Sequence, residues 1–569
     1  MPDLHTEQTT QVPQTADLND PLYYLANFET VIRWVRDHHS DLLLTEESRL
    51  VDNLMDLPAD ARALVARMVM RTGDGFRVEK LHYPELVHPI SQLMDVLEEA
   101  EWIDASPSIS VAELFRLYTL PELKPELAQY AAETGLSASA SKAQLKQAMG
   151  EAFPEAAPVS AWLPNTKTRL IRLQHMALFD RLRLMFFGNL RQTWSDFVLV
   201  ELGHHQYEKV PFTPDARAFD KREDVDRYLL LHHCRERLDE GETPEAIWQA
   251  IPEASDNAWL ESRRGRLLFE LARQAEREKN IPLALETYSE SQHREARLRY
   301  LRLLERQKRF REAWDLASRA AGSPRNDAEV QGLKRLMSRL AKKLDQTLER
   351  ATPKPQIPTT HLTLDNPSGH SVEWRVMEHL HTDDEPVAYV ENTLITGLFG
   401  LLCWPAIFAP VPGAFFHPFH IGPVDLYRED FLSRRKALFD RCLEQLQDGT
   451  WKQAIRHTWQ EKYGIASPFV VWPVFSETLL ELALHCLPAQ HLERLFHRML
   501  ADLRQHRSGF PDLIRFKPDH PDPQQRYEMI EVKGPGDRLQ DHQVRWLEYC
   551  LENNLPVSVC YVRWSEVLS

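Results

Sequence analysis

The sequence predicts a multidomain, mostly α protein that ends in an α/β domain. Its 569 residues are enough for about three to five folding units at roughly 100–200 residues each. Apolar residues recur at helical spacing through much of the chain, whereas its end carries short apolar runs of strand length around one helical stretch. With 43% hydrophobic and 27% charged residues and a mean hydropathy of −0.44, the composition argues against disordered, collagen and coiled-coil classes.

The charge is distributed unevenly. The net charge of −16 at first argues against a nucleic-acid partner, because phosphates are bound by Lys and Arg. Residues 1–60 hold 12 acidic against 3 basic side chains, whereas residues 263–311 hold 14 basic against 7 acidic ones. Such a chain can keep a basic groove while its acidic remainder repels non-specific association.

Cysteine spacing and the first residues predict a protein that stays inside the cell. The six cysteines are scattered with no CxxC pair, which fits neither a disulfide framework nor a structural zinc module and implies a reducing compartment. Residues 1–20 are polar and acidic and show no secretory signal. Residues 394–416 carry no charge, but Pro405, Pro410 and Pro412 interrupt them, so we expect a buried helix followed by a loop and not a membrane span.

The first two predicted units are helical. Residues 1–108 form an N-terminal helical domain with no residues that suggest chemistry. Residues 109–155 resemble the SAP motif, a helix-loop-helix that binds duplex DNA, in their leucine pattern, the central Gly135-Leu136 and a later Lys-x-x-Leu. The lysines that could contact phosphates there are Lys124, Lys142 and Lys146. Taken alone, the motif is more typical of a plain helical hairpin with solvated lysines.

The middle of the chain is predicted to be a mixed region followed by a helical array, together residues 156–350. We expect a strand at residues 197–202 and, from Arg264 to about Leu344, an array whose helices repeat at a spacing of 29. That spacing is shorter than the roughly 34 residues of a tetratricopeptide repeat, so the array is a degenerate, TPR-like one. Residues 351–370 are rich in Pro and read as a linker before a final domain at residues 371–569.

The final domain contains the residues that suggest chemistry. Pro511-Asp512 begins an apolar run, and Glu531-Val532-Lys533 ends a second run after 18 intervening residues. The polar, Pro-rich stretch between the two runs predicts a β-hairpin with an extended loop. Because side chains alternate along a strand, Glu531 and Lys533 share one face of the sheet, and Asp512 on the neighbouring strand can meet them.

Two carboxylates beside one lysine suit metal-assisted phosphodiester hydrolysis. Oxygen ligands favour Mg²⁺ or Mn²⁺, and a nearby ammonium can position the nucleophile or stabilise phosphate oxygens. A turn, a helix and a last apolar strand at residues 556–562 complete a β-β-α-β order. This is the PD-(D/E)xK nuclease pattern, and its alternative is an exposed salt bridge between Glu531 and Lys533 that arises by chance.

Longer motifs around this pattern carry a family resemblance. The string from Arg507 to Leu513, together with residues 531–539 and Gln543-x-x-Trp546, resembles the VRR-NUC domain. Adding Glu391-Asn-Thr-Leu and residues 431–435, the chain resembles the Fanconi-associated nuclease family in the order of its parts as well. The resemblance covers nearly the whole chain and is strongest in the last domain.

The resemblance implies a structure-selective DNA nuclease that cuts 5′ flaps and trims from the 5′ side in interstrand crosslink repair. It implies Asp512, Glu531 and Glu391 as metal-binding carboxylates, with the backbone carbonyl of Val532, and Lys533 as the catalytic lysine. It also implies Mg²⁺ or Mn²⁺ as cofactor and branched or flapped DNA as partner. The basic side chains near the site that could contact this DNA are Arg504 and Arg507.

One departure from the family bears on localisation. Its eukaryotic members add a ubiquitin-binding zinc finger near the N-terminus, but no cysteine precedes Cys234 here. We therefore expect a bacterial-type, nucleoid-associated member without a ubiquitin-binding finger; a nuclear location would apply only to a eukaryotic source. The long helical arm favours a monomer that wraps one branched substrate. Two alternatives stay open: a Holliday-junction resolvase, which uses the same fold, and a DNA-binding scaffold whose nuclease fold is inactive.

Overall fold

The computed structural model describes residues 20–133, 140–164, 166, 168–198, 206–347, 355–365 and 370–565, and it confirms a mostly helical chain with a C-terminal α/β domain. Its contacts divide it into two compact units. One unit takes its residues from 1–204 and 219–225, and the other from 205–218 and 226–569. The interval 156–350, expected to be a mixed region followed by a helical array, is shared between the units: residues 156–204 and 219–225 belong to the first, and residues 205–218 and 226–350 to the second.

The first unit combines short helices with two small sheets, one of order β1-β5-β2 and one that pairs β3 with β4. Its helices are α1 (Tyr23–His39), α2 (Thr45–Asp56), α3 (Ala59–Val69), α4 (Ile90–Glu99), α5 (Val111–Leu117), α6 (Leu120–Glu133), α7 (Lys142–Ala152), α8 (Val159–Trp162), α9 (Met176–Phe187) and α10 (Trp194–Val198). Its strands are β1 (Gly75–Arg77), β2 (Ile103–Asp104), β3 (Ser108–Ile109), β4 (Ala157–Pro158) and β5 (Leu170–Leu173).

The predicted SAP-like hairpin corresponds to α5–α7. Ser110 and Ser141 cap α5 and α7 with their side chains, as expected of serine before a helix. Leucines from all three helices, Leu114, Leu123 and Leu145, are buried in one apolar cluster. The Gly135-Leu136 of the motif lies outside the described residues.

The prediction of a strand at residues 197–202 is wrong for its first two residues. Phe197 and Val198 end helix α10, and the remaining residues lie outside the described part of the chain. The Phe197 ring packs against the rings of Phe186 and Phe187, with centroids 4.9 and 5.6 Å away. This helical packing overrides the strand preference of the β-branched and aromatic residues.

Beyond residue 222, a helical array precedes the α/β domain. The helices of the array pack against their neighbours in sequence, as expected of TPR-like hairpins. They are α11 (Arg222–Asp239), α12 (Pro244–Ala250), α13 (Ala258–Arg277), α14 (Ile281–Glu290), α15 (Ala296–Arg306), α16 (Phe310–Gly322) and α17 (Asp327–Leu344).

The α/β domain is built on a five-stranded sheet of order β6-β10-β9-β8-β7. Its strands are β6 (Thr359–Leu364), β7 (Val387–Tyr389), β8 (Leu513–Phe516), β9 (Tyr527–Lys533) and β10 (Val557–Trp564). Strand β10 runs parallel to β6 and β9, whereas β8 runs antiparallel to β7 and β9. Its helices are α18 (Val372–Leu380), α19 (Leu394–Leu402), α20 (Trp404–Ile407), α21 (Phe431–Arg434), α22 (Lys436–Asp448), α23 (Trp451–Lys462), α24 (Glu477–Cys486), α25 (Ala489–Ala501), α26 (Leu503–His506) and α27 (Asp541–Glu552).

The predicted linker at residues 351–370 contains strand β6, so that expectation is wrong for its middle. All six residues of β6 pair with β10, from Thr359 opposite Val559 to Leu364 opposite Trp564. Only Leu364 is buried, because β6 is an edge strand. The apolar alternation that reveals a strand is therefore weak here, and the prolines around it dominate the sequence pattern.

The uncharged stretch at residues 394–416 is confirmed as buried helix followed by loop. Every residue of α19 is buried, and its six large apolar side chains belong to the main apolar cluster of the domain. Two glycines of α19 lie directly against neighbouring rings: a Cβ at Gly397 would come 2.5 Å from the Phe475 ring, and one at Gly400 would come 2.6 Å from Cβ of Phe469. Among the described residues, no helix has the length and apolarity needed to cross a membrane.

We expect Gly400→Ala to destabilise the protein by about 1–3 kcal/mol, because an added methyl group must displace buried Phe469 and Val470. Gly150→Ala is the matched control, since Gly150 lies inside α7 and no atom of the described residues comes within 4 Å of the position that its methyl group would take. Alanine there should stabilise the helix by roughly 0.5–1 kcal/mol. Thermal unfolding of both variants measures the difference, and an unchanged midpoint for Gly400→Ala would contradict the packing described here.

Candidate active site

The register of the β8–β9 hairpin brings Asp512 opposite Glu531. Leu513 pairs with Ile530, so the preceding residue, Asp512, faces Glu531 on the partner strand. The backbone N–H of Val532 donates a hydrogen bond to Asp512 Oδ2 at 2.8 Å, which fixes the carboxylate at the start of β8. The prediction that Asp512 begins the strand next to Glu531 is confirmed.

The alternation along β9 also follows the prediction. Ile530 and Val532 are buried together with Val376 of α18 in one apolar cluster. Glu531 and Lys533 share the opposite direction, and the Lys533 ammonium donates to Glu531 Oε1 at 2.6 Å. Their side chains are only 1% and 10% exposed. The alternative of an exposed salt bridge is therefore excluded.

Burial raises the pKa of both carboxyl groups. The pKa of Asp512 rises to about 6, chiefly through desolvation, against which the Val532 N–H and the Lys533 charge favour the carboxylate. The pKa of Glu531 rises to about 7, through desolvation and then through the charge of Asp512. Two buried carboxylates that oppose each other's ionisation form an arrangement that a bound cation relieves.

Glu391 reaches the same end of the sheet although 121 residues separate it from Asp512. Strand β7 pairs with β8, and the Val390 N–H donates to the Asp512 carbonyl at 2.9 Å, which places Glu391 next to the hairpin. The charge of Glu391 raises the pKa of both Asp512 and Glu531. Within the described ranges, however, no three His, Cys, Asp or Glu side chains converge closely enough to hold a metal ion. The ligand role of Glu391 stays a prediction.

The donor set fits a hard divalent cation. Asp512 and Glu531 offer buried carboxylate oxygens, and the predicted backbone donor, the Val532 carbonyl, lies between them in sequence. Neither a thiol nor an imidazole bonds to either carboxylate in the contacts described, so the chemistry is that of oxygen ligands. Mg²⁺ and Mn²⁺ prefer such oxygen ligands.

Gln543 is a further residue of the site; the Gln543-x-x-Trp546 motif contributes to the family resemblance but indicates no role for it in the site. Its side-chain amide on α27 donates to Glu531 Oε1 at 2.5 Å, the same oxygen that Lys533 contacts. The other members of its stripe on α27, Trp546, Leu547 and Cys550, are buried and apolar or thiol-bearing. A polar residue within this otherwise buried stripe was the signal that could have identified Gln543.

Comparison with known proteins assigns the chain to a family. A VRR-NUC domain model matches residues 446–564, a model described as FAN1, HTH domain matches 22–104, and one described as Fanconi anemia-associated nuclease SAP domain matches 108–162. The Fanconi-associated nuclease 1 homolog of Pseudomonas aeruginosa is 46% identical over 99% of this chain and 99% of its own length. The chain belongs to the Fanconi-associated nuclease family.

Solved structures agree with this assignment. A crystal structure of paFAN1 bound to 5′ flap DNA with a two-nucleotide flap and a gap is similar with a TM-score of 0.83, at 46% identity, covering 97% of this chain and 100% of that one. Human Fanconi-associated nuclease 1 is 22% identical over 95% of this chain and 62% of its own length. This Fanconi-associated nuclease is thus a DNA nuclease, and its VRR-NUC domain implies dependence on a divalent metal ion.

The lysines predicted to bind DNA differ in their surroundings. Lys124 and Lys146 are exposed on α6 and α7. Lys142 is half-buried, and its ammonium donates to the backbone carbonyl of Tyr118 at 2.7 Å, which ties α7 to the end of α5. Part of the expected positive charge therefore has a structural use in this Fanconi-associated nuclease.

The two arginines predicted to bind DNA also differ. Arg507 donates to the Pro468 carbonyl at 3.1 Å and lies over the rings of Tyr427 and Phe469, and burial lowers the pKa of its guanidinium. Arg504 is exposed and borders a cavity of about 480 Å³. The positively charged side chains that line this cavity are Arg266, Arg294, Arg428 and Arg504, and the acidic ones are Glu261, Glu429 and Asp430.

The raised pKa values predict that cation binding depends on pH. Asp512 carries a proton below about pH 6 and Glu531 below about pH 7, and a cation must displace these protons to bind. The affinity for the cation should therefore fall as the pH falls, by about tenfold per pH unit for each proton displaced. Calorimetric titration with Mn²⁺ between pH 5.5 and pH 8 measures this dependence.

The control is Asp512→Asn, which removes the charge that raises the pKa of Glu531. This variant should bind Mn²⁺ more weakly and with a shallower pH dependence that is displaced to lower pH. A wild-type affinity that stays constant from pH 5.5 to pH 8 would contradict the electrostatics of the pair.

Proposed function

We propose that this protein is a Mg²⁺- or Mn²⁺-dependent flap endonuclease and 5′–3′ exonuclease that acts in the repair of DNA interstrand crosslinks. The observation that carries the proposal is the buried Asp512–Glu531–Lys533 set on the β8–β9 hairpin. The relative solved with 5′ flap DNA, similar over nearly the whole of both chains, supports the substrate.

Each residue of the site has a distinct part in the proposed reaction. Asp512, Glu531, Glu391 and the Val532 carbonyl would hold the cation, which when bound lowers the pKa of a coordinated water and neutralises charge on the phosphate. The Val532 N–H holds Asp512 in place, as Gln543 does for Glu531.

Lys533 is the only one of these side chains that carries a positive charge. Its ammonium has three donors, of which one contacts Glu531, so others can orient the attacking water or contact a phosphate oxygen as charge develops there. Because Lys533 and Glu531 are almost fully buried, these interactions act with little competition from water.

Positive charge beyond the site supports a DNA substrate. Four guanidinium groups line the cavity, and guanidinium groups match phosphate oxygens in geometry. Three of them, on Arg266, Arg294 and Arg428, also pair with acidic side chains. Exposed Lys124, Lys146 and Arg504 are proposed to contact the DNA backbone. We propose that Lys142 and Arg507 act mainly by holding their own segments in place, since both donate to backbone carbonyls.

The two alternatives have weaker support. An inactive scaffold is disfavoured because Asp512, Glu531 and Lys533 are all present, with Lys533 bonded to Glu531 and Asp512 held by the Val532 N–H. A Holliday-junction resolvase is disfavoured because such enzymes are usually small homodimers, whereas this chain carries a long helical array beside one complete set of catalytic side chains. We propose a monomer that acts in the bacterial cytoplasm on the nucleoid, in keeping with a DNA substrate and the bacterial relative.

We expect purified protein with Mg²⁺ or Mn²⁺ to cleave labelled 5′-flap DNA faster than 3′-flap or Holliday-junction DNA. Asp512→Ala, Glu531→Ala and Lys533→Ala should each lower the rate by more than about tenfold, equal to about 1.4 kcal/mol of barrier, because each removes a group that acts on the reacting phosphate. Their affinity for DNA should be largely retained, since phosphate contacts elsewhere provide most of it.

Gel assays of cleavage and fluorescence anisotropy of binding measure the two effects separately. Equal rates on all three substrates would contradict flap selectivity while leaving the nuclease assignment in place. A variant that kept more than about a tenth of the wild-type rate would contradict the role given to its residue.

A further inference from the structure

The Glu391 carboxylate is held by its own neighbours in sequence. The phenol of Tyr389, at the end of β7, donates to Glu391 Oε2 at 2.5 Å. The side-chain amide of Asn392 donates to the other oxygen, Oε1, at 3.3 Å. The bond from Tyr389 is by far the shorter, so Oε2 is held firmly and Oε1 only weakly.

The position of the Tyr389 phenol is set by the same backbone that positions Asp512. Tyr389 pairs with Leu513 across the β7–β8 ladder, one residue beyond Asp512. Asn392 has a left-handed backbone (φ +52°), and its Oδ1 accepts a hydrogen bond at 3.2 Å from the N–H of Phe510, just before the Pro511-Asp512 turn. Segment 389–392 is therefore held at one end by the pairing of Tyr389 with Leu513 and at the other by the hydrogen bond between Asn392 and Phe510.

A glutamate in this place needs a restraint. Glu391 is exposed, and its charge opposes the ionised forms of Asp512 and Glu531, so repulsion favours rotamers that turn it towards solvent. A free glutamate side chain also loses rotamer freedom when it becomes a ligand. The Tyr389 hydrogen bond opposes the repulsion and restricts the rotamers before any cation arrives.

We infer that Tyr389 is a positioning residue for the metal site: its phenol holds Glu391 at the same end of the sheet as the Asp512–Glu531 pair, with Oε1 available to a divalent cation. Oε2 can keep its bond to the phenol while Oε1 exchanges the weak Asn392 contact for the cation. Carboxylate ligands of metals are generally held by such outer hydrogen bonds. This inference rests on the proposed function, and in particular on Glu391 as a ligand.

The test is Mn²⁺ binding to the full-length Tyr389→Phe variant without DNA, measured by calorimetry and by the electron paramagnetic resonance signal of free Mn²⁺. Loss of an outer hydrogen bond should weaken binding by about tenfold. Tyr463→Phe is the matched control, because its ring is 59% exposed and lies against the rings of Trp459 and Trp472. Its Mn²⁺ affinity should equal that of the wild type.

Cleavage as a function of Mn²⁺ concentration separates positioning from a general structural role. For Tyr389→Phe we expect a half-maximal Mn²⁺ concentration about tenfold higher, a rate at saturating Mn²⁺ close to that of the wild type, and an unchanged melting midpoint without metal. A structural role would instead lower the midpoint or lower the rate at every Mn²⁺ concentration, and would overturn the inference.

The double variant Tyr389→Phe/Glu391→Gln provides the decisive comparison. If the phenol acts through Glu391, the double variant should bind Mn²⁺ no more weakly than Glu391→Gln alone. Fully additive losses, or wild-type Mn²⁺ affinity in Tyr389→Phe, would overturn the inference while leaving the proposed function in place. If Glu391→Gln binds Mn²⁺ with wild-type affinity, Glu391 is not a ligand and the inference is overturned. If the wild-type protein cleaves no DNA with Mn²⁺ or Mg²⁺, the proposed function is refuted instead.

Discussion

The pairing of β8 with β9 is the constraint on which the site depends. It sets Asp512 opposite Glu531, and the same ladder gives Asp512 its hydrogen bond from the Val532 N–H. A slip of one residue would turn Glu531 and Lys533 to the face that buries Ile530 and Val532, so the apolar core enforces the register that the proposed site needs. Strand β7 pairs with this hairpin and places Glu391 at the same end of the sheet.

Packing at the hairpin buries the two carboxylates, and their burial costs electrostatic free energy. A rise of the pKa of Asp512 to about 6 corresponds to roughly 3 kcal/mol of preference for the protonated carboxyl. This rise is what remains after the Val532 N–H and the Lys533 charge have already favoured the ionised carboxylate. The single Lys533 ammonium cannot neutralise the carboxylates of Asp512, Glu531 and the nearby Glu391. The remaining negative charge favours the binding of a divalent cation.

Sequence reasoning succeeded where a rule of local geometry decides the structure. Alternation along a strand placed Glu531 and Lys533 on one face and Asp512 near them, and the structure confirms both. It failed for strand Thr359–Leu364, whose pairing with β10 is a contact between distant parts of the chain and leaves little apolar pattern. Gln543 was missed as a site residue for a related reason: its partner, Glu531, lies on another element, and only the fold brings them together.

The central claim is that this hairpin binds the metal ion of a DNA nuclease. Anomalous diffraction from crystals of the wild-type protein grown with Mn²⁺ tests it most directly, because it locates the ion without reference to activity. The account predicts an anomalous peak within about 2–2.6 Å of oxygens from Asp512, Glu531 and the Val532 carbonyl. A fully occupied Mn²⁺ site elsewhere, with no peak between these residues, would contradict it.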